Sequence, residues 1–160
     1  YSTGKIMGNV GVGGLVGYAG NFMLYDKWSN VLSNCSSSGI VSGDDYVGGL
    51  IGRTHSVDYS YVTLKNSCAT GTVTGQTYVG GLVGRHSERI SNCYARGDVN
   101  GLTNVGGLCG RCSSLMMSCY SIVKVIGISN VGGLTGTGNN TSSFNCFWDL
   151  QASKQVMSAG

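Results

Sequence analysis

Short runs of apolar residues alternate with Gly, Asn, Ser and Thr along the whole chain, and apolar residues nowhere keep a helical spacing. The stretches "GDVNG" (97–101) and "NVGGLCG" (104–110) are typical, with β-branched or apolar residues separated by turn-forming ones. Glycine at this density would cost a helix about 1 kcal/mol per residue. The pattern therefore predicts an all-β chain of short strands joined by tight turns.

The pattern is also periodic. The phrase "VGGL" begins at Val12, Val47, Val79, Val105 and Val131, so successive copies are 35, 32, 26 and 26 residues apart. A cysteine precedes most copies, and a segment such as "GIVSG", "GTVTG" or "GDVNG" lies between the two anchors. A base period of 26 residues indicates a stack of similar units, each packed on its neighbours.

A unit of this length has room for three short strands, around the cysteine, the central valine and the VGGL phrase. Each strand would pair with its own copy in the next unit at about 4.8 Å. We therefore predict a parallel β-solenoid (β-helix) of about five to six rungs, with three short strands per rung. We expect residues 1–160 to form a single solenoid domain that belongs to a longer chain.

Stacking places identical residues above one another, so the sequence predicts columns in the core. One column contains leucines: Leu15, Leu50, Leu82, Leu108 and Leu134. A second contains cysteines: Cys35, Cys68, Cys93, Cys119 and Cys146. The cysteines are interpreted as a ladder of buried free thiols that pack as small hydrophobic groups. Disulfides between neighbouring rungs are the alternative, although parallel side chains make their dihedral angle unfavourable.

Two further cysteines, Cys109 and Cys112, form the phrase "CGRC". A CxxC pair serves in redox and zinc sites, but a zinc site needs further ligands. The chain has no second CxxC, and its only histidines are His55 and His86. We predict a local disulfide or two inert thiols here, and no metal or cofactor.

Charge and composition bear on the class of function. The chain has 28 Gly, no Pro, 11% charged residues and a net charge of +3, with its basic residues dispersed. This distribution argues against a nucleic-acid partner, and no apolar stretch is long enough to insert into a membrane. Only Asp44 and Asp45 among the acidic residues are adjacent, and neighbouring residues of a strand point to opposite faces. We therefore expect no catalytic site and no enzymatic activity.

Two insertions lengthen the first two units at the same place, in residues 18–34 and 53–67. Insertions in repeat proteins gather on one face, which is often the binding face. Their aromatic residues suit sugar rings or a protein partner. The candidate binding residues are Tyr25, Trp28, Tyr59 and Tyr61. In the alternative interpretation, the apolar members of the insertions fold back to cover the solenoid wall.

The residue three places after the leucine of each VGGL phrase predicts a column of charge. It holds Tyr18, Arg53, Arg85, Arg111 and Thr137, so three guanidinium groups would stand one strand spacing apart. Such a stripe suits an acidic glycan. The alternative is solvated arginines whose apolar stems pack on the wall.

The phrases "VGGLVG", "ISNCYA" and "GxVxG" resemble the GLUG motif, a short repeat of microbial surface proteins, including adhesin-like ones. The tail "NCFWDLQASKQVMSAG" is similar to the phrase that commonly follows such repeats. The resemblance implies a non-catalytic structural or spacer module of a secreted or cell-surface protein. The expected location is extracellular or at the cell surface, and the expected partners are other domains of the same polypeptide. The alternative is an adhesin-type module that binds glycan or a host or cell-surface protein through the insertions.

The repeat pattern fails after Cys146, where the bulky Trp148 and the charged Asp149 and Lys154 replace small or apolar residues. A large indole across the last rung would shield apolar columns, and polar residues would discourage a further strand. We therefore expect residues 147–160 to form a C-terminal cap, with Trp148 over the Cys146 and Leu134 columns.

Overall fold

The computed structural model describes residues 1–20, 29–55, 61–138 and 142–160. Within these residues, 25 short strands form five parallel sheets of five strands each. Successive strands of the chain belong to successive sheets, and every fifth strand returns to the same sheet. The fold is thus a parallel β-solenoid of five rungs, which confirms the predicted fold class.

The five sheets are numbered here in the order in which one rung visits them. Sheet 1 contains β1 (Ile6–Met7), β6 (Val41–Ser42), β11 (Val73–Thr74), β16 (Val99–Asn100) and β21 (Val125–Ile126). Sheet 2 contains β2 (Val10–Gly13), β7 (Asp45–Gly48), β12 (Thr77–Gly80), β17 (Thr103–Gly106) and β22 (Ser129–Gly132). Sheet 3 contains β3 (Val16–Gly20), β8 (Ile51–His55), β13 (Val83–His86), β18 (Cys109–Cys112) and β23 (Thr135–Thr137).

The remaining two sheets complete the rung. Sheet 4 contains β4 (Ser29–Ser33), β9 (Tyr61–Lys65), β14 (Ile90–Ser91), β19 (Met116–Met117) and β24 (Ser143–Phe144). Sheet 5 contains β5 (Ser36–Ser37), β10 (Cys68–Ala69), β15 (Tyr94–Arg96), β20 (Tyr120–Ile122) and β25 (Phe147–Trp148). A single short helix, α1 (Leu150–Ser153), follows β25 in the described part of the chain.

Each rung has five strands, so the predicted number of three was wrong. The reason is that two of the predicted strands are each divided by a tight turn. In "ISNCYA", Asn92 has a φ of 51° and separates β14 from β15. In the VGGL phrase, the Gly106–Gly107 pair ends β17 before β18 begins at Cys109.

The left-handed turn residues form two columns of their own. One contains Asn34, Asn66, Asn92, Ser118 and Asn145, all with φ between 50° and 57°. The other precedes the VGGL valine and contains Gly11, Tyr46, Tyr78, Asn104 and Asn130, with φ between 53° and 65°. Asparagine tolerates this conformation better than most residues. It also extends the stacking, because the Asn92 amide donates to Asn66 Oδ1 at 3.2 Å and the Asn130 amide to Asn104 Oδ1 at 2.9 Å.

The core consists of columns in strict register. Val73 pairs with Val41 on one side and Val99 on the other, and Val79 pairs with Val47 and Val105 in the same way. The leucines of the four later rungs are fully buried: Leu50, Leu82, Leu108 and Leu134. Leu15 is 39% exposed, which corrects its assignment to the core. It lies in the first rung, and no described strand stacks on that rung's outer side.

Sheets 2 and 3 pack with their backbones in direct contact. A Cβ atom on Gly84 of β13 would lie 2.5 Å from the carbonyl oxygen of Gly52 and 2.5 Å from the carbonyl carbon of Tyr46. No side chain fits between the two sheets at this point. Packing therefore requires the glycine that ends the "VGGLVG" phrase, which explains why this position is a glycine in each copy.

The chain after β25 turns back over the last rung. Asp149 caps the start of α1 by accepting hydrogen bonds from the amides of Gln151 and Ala152. The segment after α1 then adds to sheet 3, where the Ser158 carbonyl accepts from the amides of Leu134 and Thr135 at 3.0 Å and 2.8 Å. Residues 158–160 thus form part of a sixth layer.

Trp148 is the last residue of β25, and its indole ring contacts this terminal segment. It pairs with Ser121 in sheet 5, is half-buried, and its indole Nε1 donates to the Gln155 carbonyl at 2.9 Å. A Cβ atom on Gly133 would collide with the indole ring, which shows that the ring covers this glycine.

Candidate functional site

The cysteine column differs from the prediction at one position. Cys68 pairs with Ser36 and Tyr94 in sheet 5, so it lies one residue beyond the column. Ser67 takes its place and is buried. The corrected column contains Cys35, Ser67, Cys93, Cys119 and Cys146.

Ser67 reproduces the hydrogen bonding of the cysteines. Its hydroxyl donates to the Lys65 carbonyl at 2.7 Å, two residues earlier, as the Cys93 thiol does to the Ser91 carbonyl at 3.1 Å. The Ser67 oxygen also accepts from the Cys35 amide at 3.1 Å. The sequence carried a signal for this exchange, because Cys68 precedes its VGGL valine by 11 residues and Ser67 by 12, as in the other rungs.

All seven cysteines are free thiols. In the column, a hydrogen bond with the Cys93 thiol, together with burial, raises the pKa of Cys119. In the "CGRC" phrase, burial raises the pKa of Cys109 well above its usual range. Cys109 and Cys119 are therefore protonated at neutral pH and poor nucleophiles.

A buried polar contact lies beside the "CGRC" phrase. His86 pairs with Cys112 in the next rung, and its Nδ1 lies 2.9 Å from the Thr54 hydroxyl of the preceding rung. His86 Nε2 lies 3.3 Å from the Arg89 carbonyl. Burial lowers the pKa of His86 to about 4, so the imidazole is neutral at physiological pH.

The candidate residues of the insertions are mostly outside the described residues. This applies to Tyr25, Trp28 and Tyr59, while Tyr61 begins β9 and only its backbone is described. The strands that flank the insertions are described: Gly20 pairs with His55, and Ser29 pairs with Tyr61. Both insertions therefore leave and rejoin the solenoid at the same corner of adjacent rungs.

A shallow hollow of about 350 Å³ lies at this corner. Its lining combines the exposed Tyr18 and Asn30 with the apolar side chains of Leu32 and Val62. Polar and apolar groups thus meet beside the two insertions.

The predicted column of arginines is present in sheet 3. Arg85 pairs with Arg53 on one side and Arg111 on the other, and the column continues to Tyr18 and Thr137 at its ends. We call Arg53, Arg85 and Arg111 the arginine ladder. Two unit charges one strand spacing apart repel by about 1 kcal/mol in water, so the strand register holds together groups that would otherwise separate.

Tyrosine rings, which the sequence-based hypothesis did not include, support the arginine ladder. Tyr46 and Tyr78 of sheet 2 stack with their ring centroids 5.1 Å apart and an interplanar angle of 1°. The guanidinium carbon of Arg53 lies 4.8 Å from the Tyr46 ring centroid, and that of Arg85 lies 6.0 Å from it. Both tyrosines directly precede a VGGL phrase, so their shared repeat position was a usable signal.

The structure also bears on metal binding and on membrane-spanning helices. In the part of the chain that it describes, no group of three or more His, Cys, Asp or Glu side chains is arranged to hold a metal ion. No helix in these same segments is long and apolar enough to cross a membrane.

Comparison with known proteins finds a family match for one of the repeats. Residues 75–100, one complete 26-residue unit from the third and fourth rungs, match the family model described as the GLUG motif. Searches of curated proteins and of solved structures gave no match.

Proposed function

We propose that this GLUG-motif repeat protein is a non-catalytic spacer or display module of a secreted or cell-surface protein, with other domains of the same polypeptide as its partners. A solenoid suits this role because each rung contacts mainly its neighbours, so that length increases with the number of repeats. The resulting rod would hold an attached domain at a fixed distance from its anchor.

The observation that carries the proposal is the unbroken register of all five sheets. Every strand of one rung pairs in parallel with the equivalent strand of the next rung, despite insertions that lengthen the first two units. Irregular lengths are thus confined to one corner, and the rod itself stays regular.

Adding repeats tests the spacer function directly. We would insert one, two or three extra copies of residues 75–100 after Asn100 and measure the maximum dimension by small-angle X-ray scattering. A rigid spacer predicts an increase of about 4.8 Å per copy with a constant cross-section. A dimension that does not change with copy number, or a cross-section that swells, would contradict the proposal.

A second candidate function is adhesion through the two insertions. The observation that favours it is the pairing of their flanking strands, which brings both insertions to the corner that holds the 350 Å³ hollow. A glycan array and a cell-binding assay would be run on the intact chain and on chains in which a Gly-Ser link replaces residues 21–28 or 56–60. Replacement of residues 139–141 provides the matched control. Adhesion through the insertions predicts that binding is lost when residues 21–28 or 56–60 are replaced. Binding should remain when residues 139–141 are replaced.

A further inference from the structure

The arginine ladder is not paired with carboxylate groups among the described residues. None of its three guanidinium groups forms an ion pair there, and the Nε atoms of all three are buried without a hydrogen-bond partner. The three side chains are only half-buried. The ladder is therefore a line of like charges that is accessible from one side.

The ladder is held in place by the fold. The backbone register fixes the arginines one strand spacing apart, and the Tyr46 ring packs against the guanidinium group of Arg53. An anionic partner would therefore meet arginines whose backbones are already aligned, which reduces the entropy lost on binding. The planar guanidinium group also suits carboxylate and sulfate oxygens.

We propose that the arginine ladder binds a linear polyanionic glycan, one that carries sulfate or uronate groups along its length. A linear polymer fits because the three charges lie in one line across successive rungs. A single-stranded nucleic acid fits less well, since its bases need open aromatic faces. The neighbouring Tyr46 and Tyr78 rings instead stack on each other. This inference goes beyond the spacer function and does not depend on it.

A binding measurement with matched variants tests the proposal. Calorimetry would measure the Kd of the intact chain for a heparin dodecasaccharide, for inorganic sulfate and for a single-stranded dodecanucleotide. The variants are Arg53→Gln, Arg85→Gln, Arg111→Gln and the triple variant. The control is Arg96→Gln, which removes the same charge from sheet 5, where Arg96 lies 5.8 Å from the Tyr94 ring centroid.

The expected result is a Kd for heparin that rises about fivefold for each single ladder variant and more than about thirtyfold for the triple variant. Arg96→Gln should leave it within about twofold. Arg85→Lys should recover part of the loss, since it restores the charge but not the planar group. Circular dichroism on every variant would show that the solenoid is intact.

Three outcomes would overturn the proposal. Equal losses in the ladder variants and in Arg96→Gln would show binding through net charge alone. Sulfate that binds as tightly as the dodecasaccharide would point to a site for a small anion. A nucleotide affinity that equals the heparin affinity and falls in the same variants would assign the ladder to nucleic acid.

Discussion

His86 illustrates how a single buried residue links stability to pH. The unfolded chain binds a proton at His86 near pH 6.5, whereas the folded chain does so only near pH 4, because burial disfavours the imidazolium form. Between these values the unfolded state holds more protons than the folded state. Stability should therefore fall as the pH is lowered from 6.5 towards 4.

We predict that His86 contributes a loss of about 1.4 kcal/mol in the free energy of unfolding per pH unit between about pH 6 and pH 4. The measurement is urea denaturation at half-unit steps from pH 7 to pH 4. His86→Gln is the matched variant, because its side chain does not titrate and can still reach a polar partner. If the free energy of unfolding changes with pH by the same amount in the two proteins, His86 has no such role.

Substitutions of Ser67 and Cys68 test which of these two neighbours belongs to the cysteine column. Ser67→Ala removes the bonds to the Lys65 carbonyl and the Cys35 amide, so the free energy of unfolding should fall by about 1–2 kcal/mol. Ser67→Cys should restore most of it, because Cys93 makes the equivalent bond. Cys68→Ser, in the half-buried neighbouring column, should change it by less than about 0.5 kcal/mol. A larger effect of Cys68→Ser than of Ser67→Ala would contradict the assignment.

At the scale of the strands, the contact between sheets 2 and 3 depends on glycine. Gly84→Ala would place a Cβ atom 2.5 Å from backbone atoms of two neighbouring strands, which cannot move without disturbing both sheets. We expect a loss of about 3 kcal/mol or more in the free energy of unfolding. Gly4→Ala is the control, since nothing lies within 4 Å of the added Cβ atom. Chemical denaturation of both variants gives the answer, and equal stabilities would show that the two sheets can separate at little cost.

The strands also show what the sequence could and could not reveal. The period of 26 residues was visible, and with it the parallel stacking and the arginine column. The number of strands per rung was not visible in the sequence, because a turn made by one left-handed residue such as Asn92 leaves no break in the apolar pattern. Tyr46 and Tyr78 share their position before the VGGL phrase in only two rungs, so this signal was weaker than that of a complete column.

At the scale of the whole molecule, a solenoid needs its last rung protected, because an open layer exposes unpaired amides and apolar columns. In this chain, the segment 155–160 lies over the fifth rung, and the indole of Trp148 covers Gly133 of the same rung. The Met157 and Ser158 carbonyls accept from the amides of Gly133 and Leu134, while the indole bonds to the Gln155 carbonyl. These contacts make Trp148 the side chain that we expect to hold the terminal segment in place.

Trp148→Ala therefore tests whether residues 147–160 act as a cap. Because the indole is half-buried, we expect a loss of about 2 kcal/mol in the free energy of unfolding, less than for a fully buried aromatic residue. The amides of Gly133 and Leu134 should also exchange with solvent faster, because their acceptors belong to the released segment. Phe147→Ala is the control, since Phe147 lies in the same strand but is 66% exposed. If Trp148→Ala leaves exchange at Leu134 as slow as Phe147→Ala does, the terminal segment is held by its backbone bonds alone and Trp148 is not its anchor.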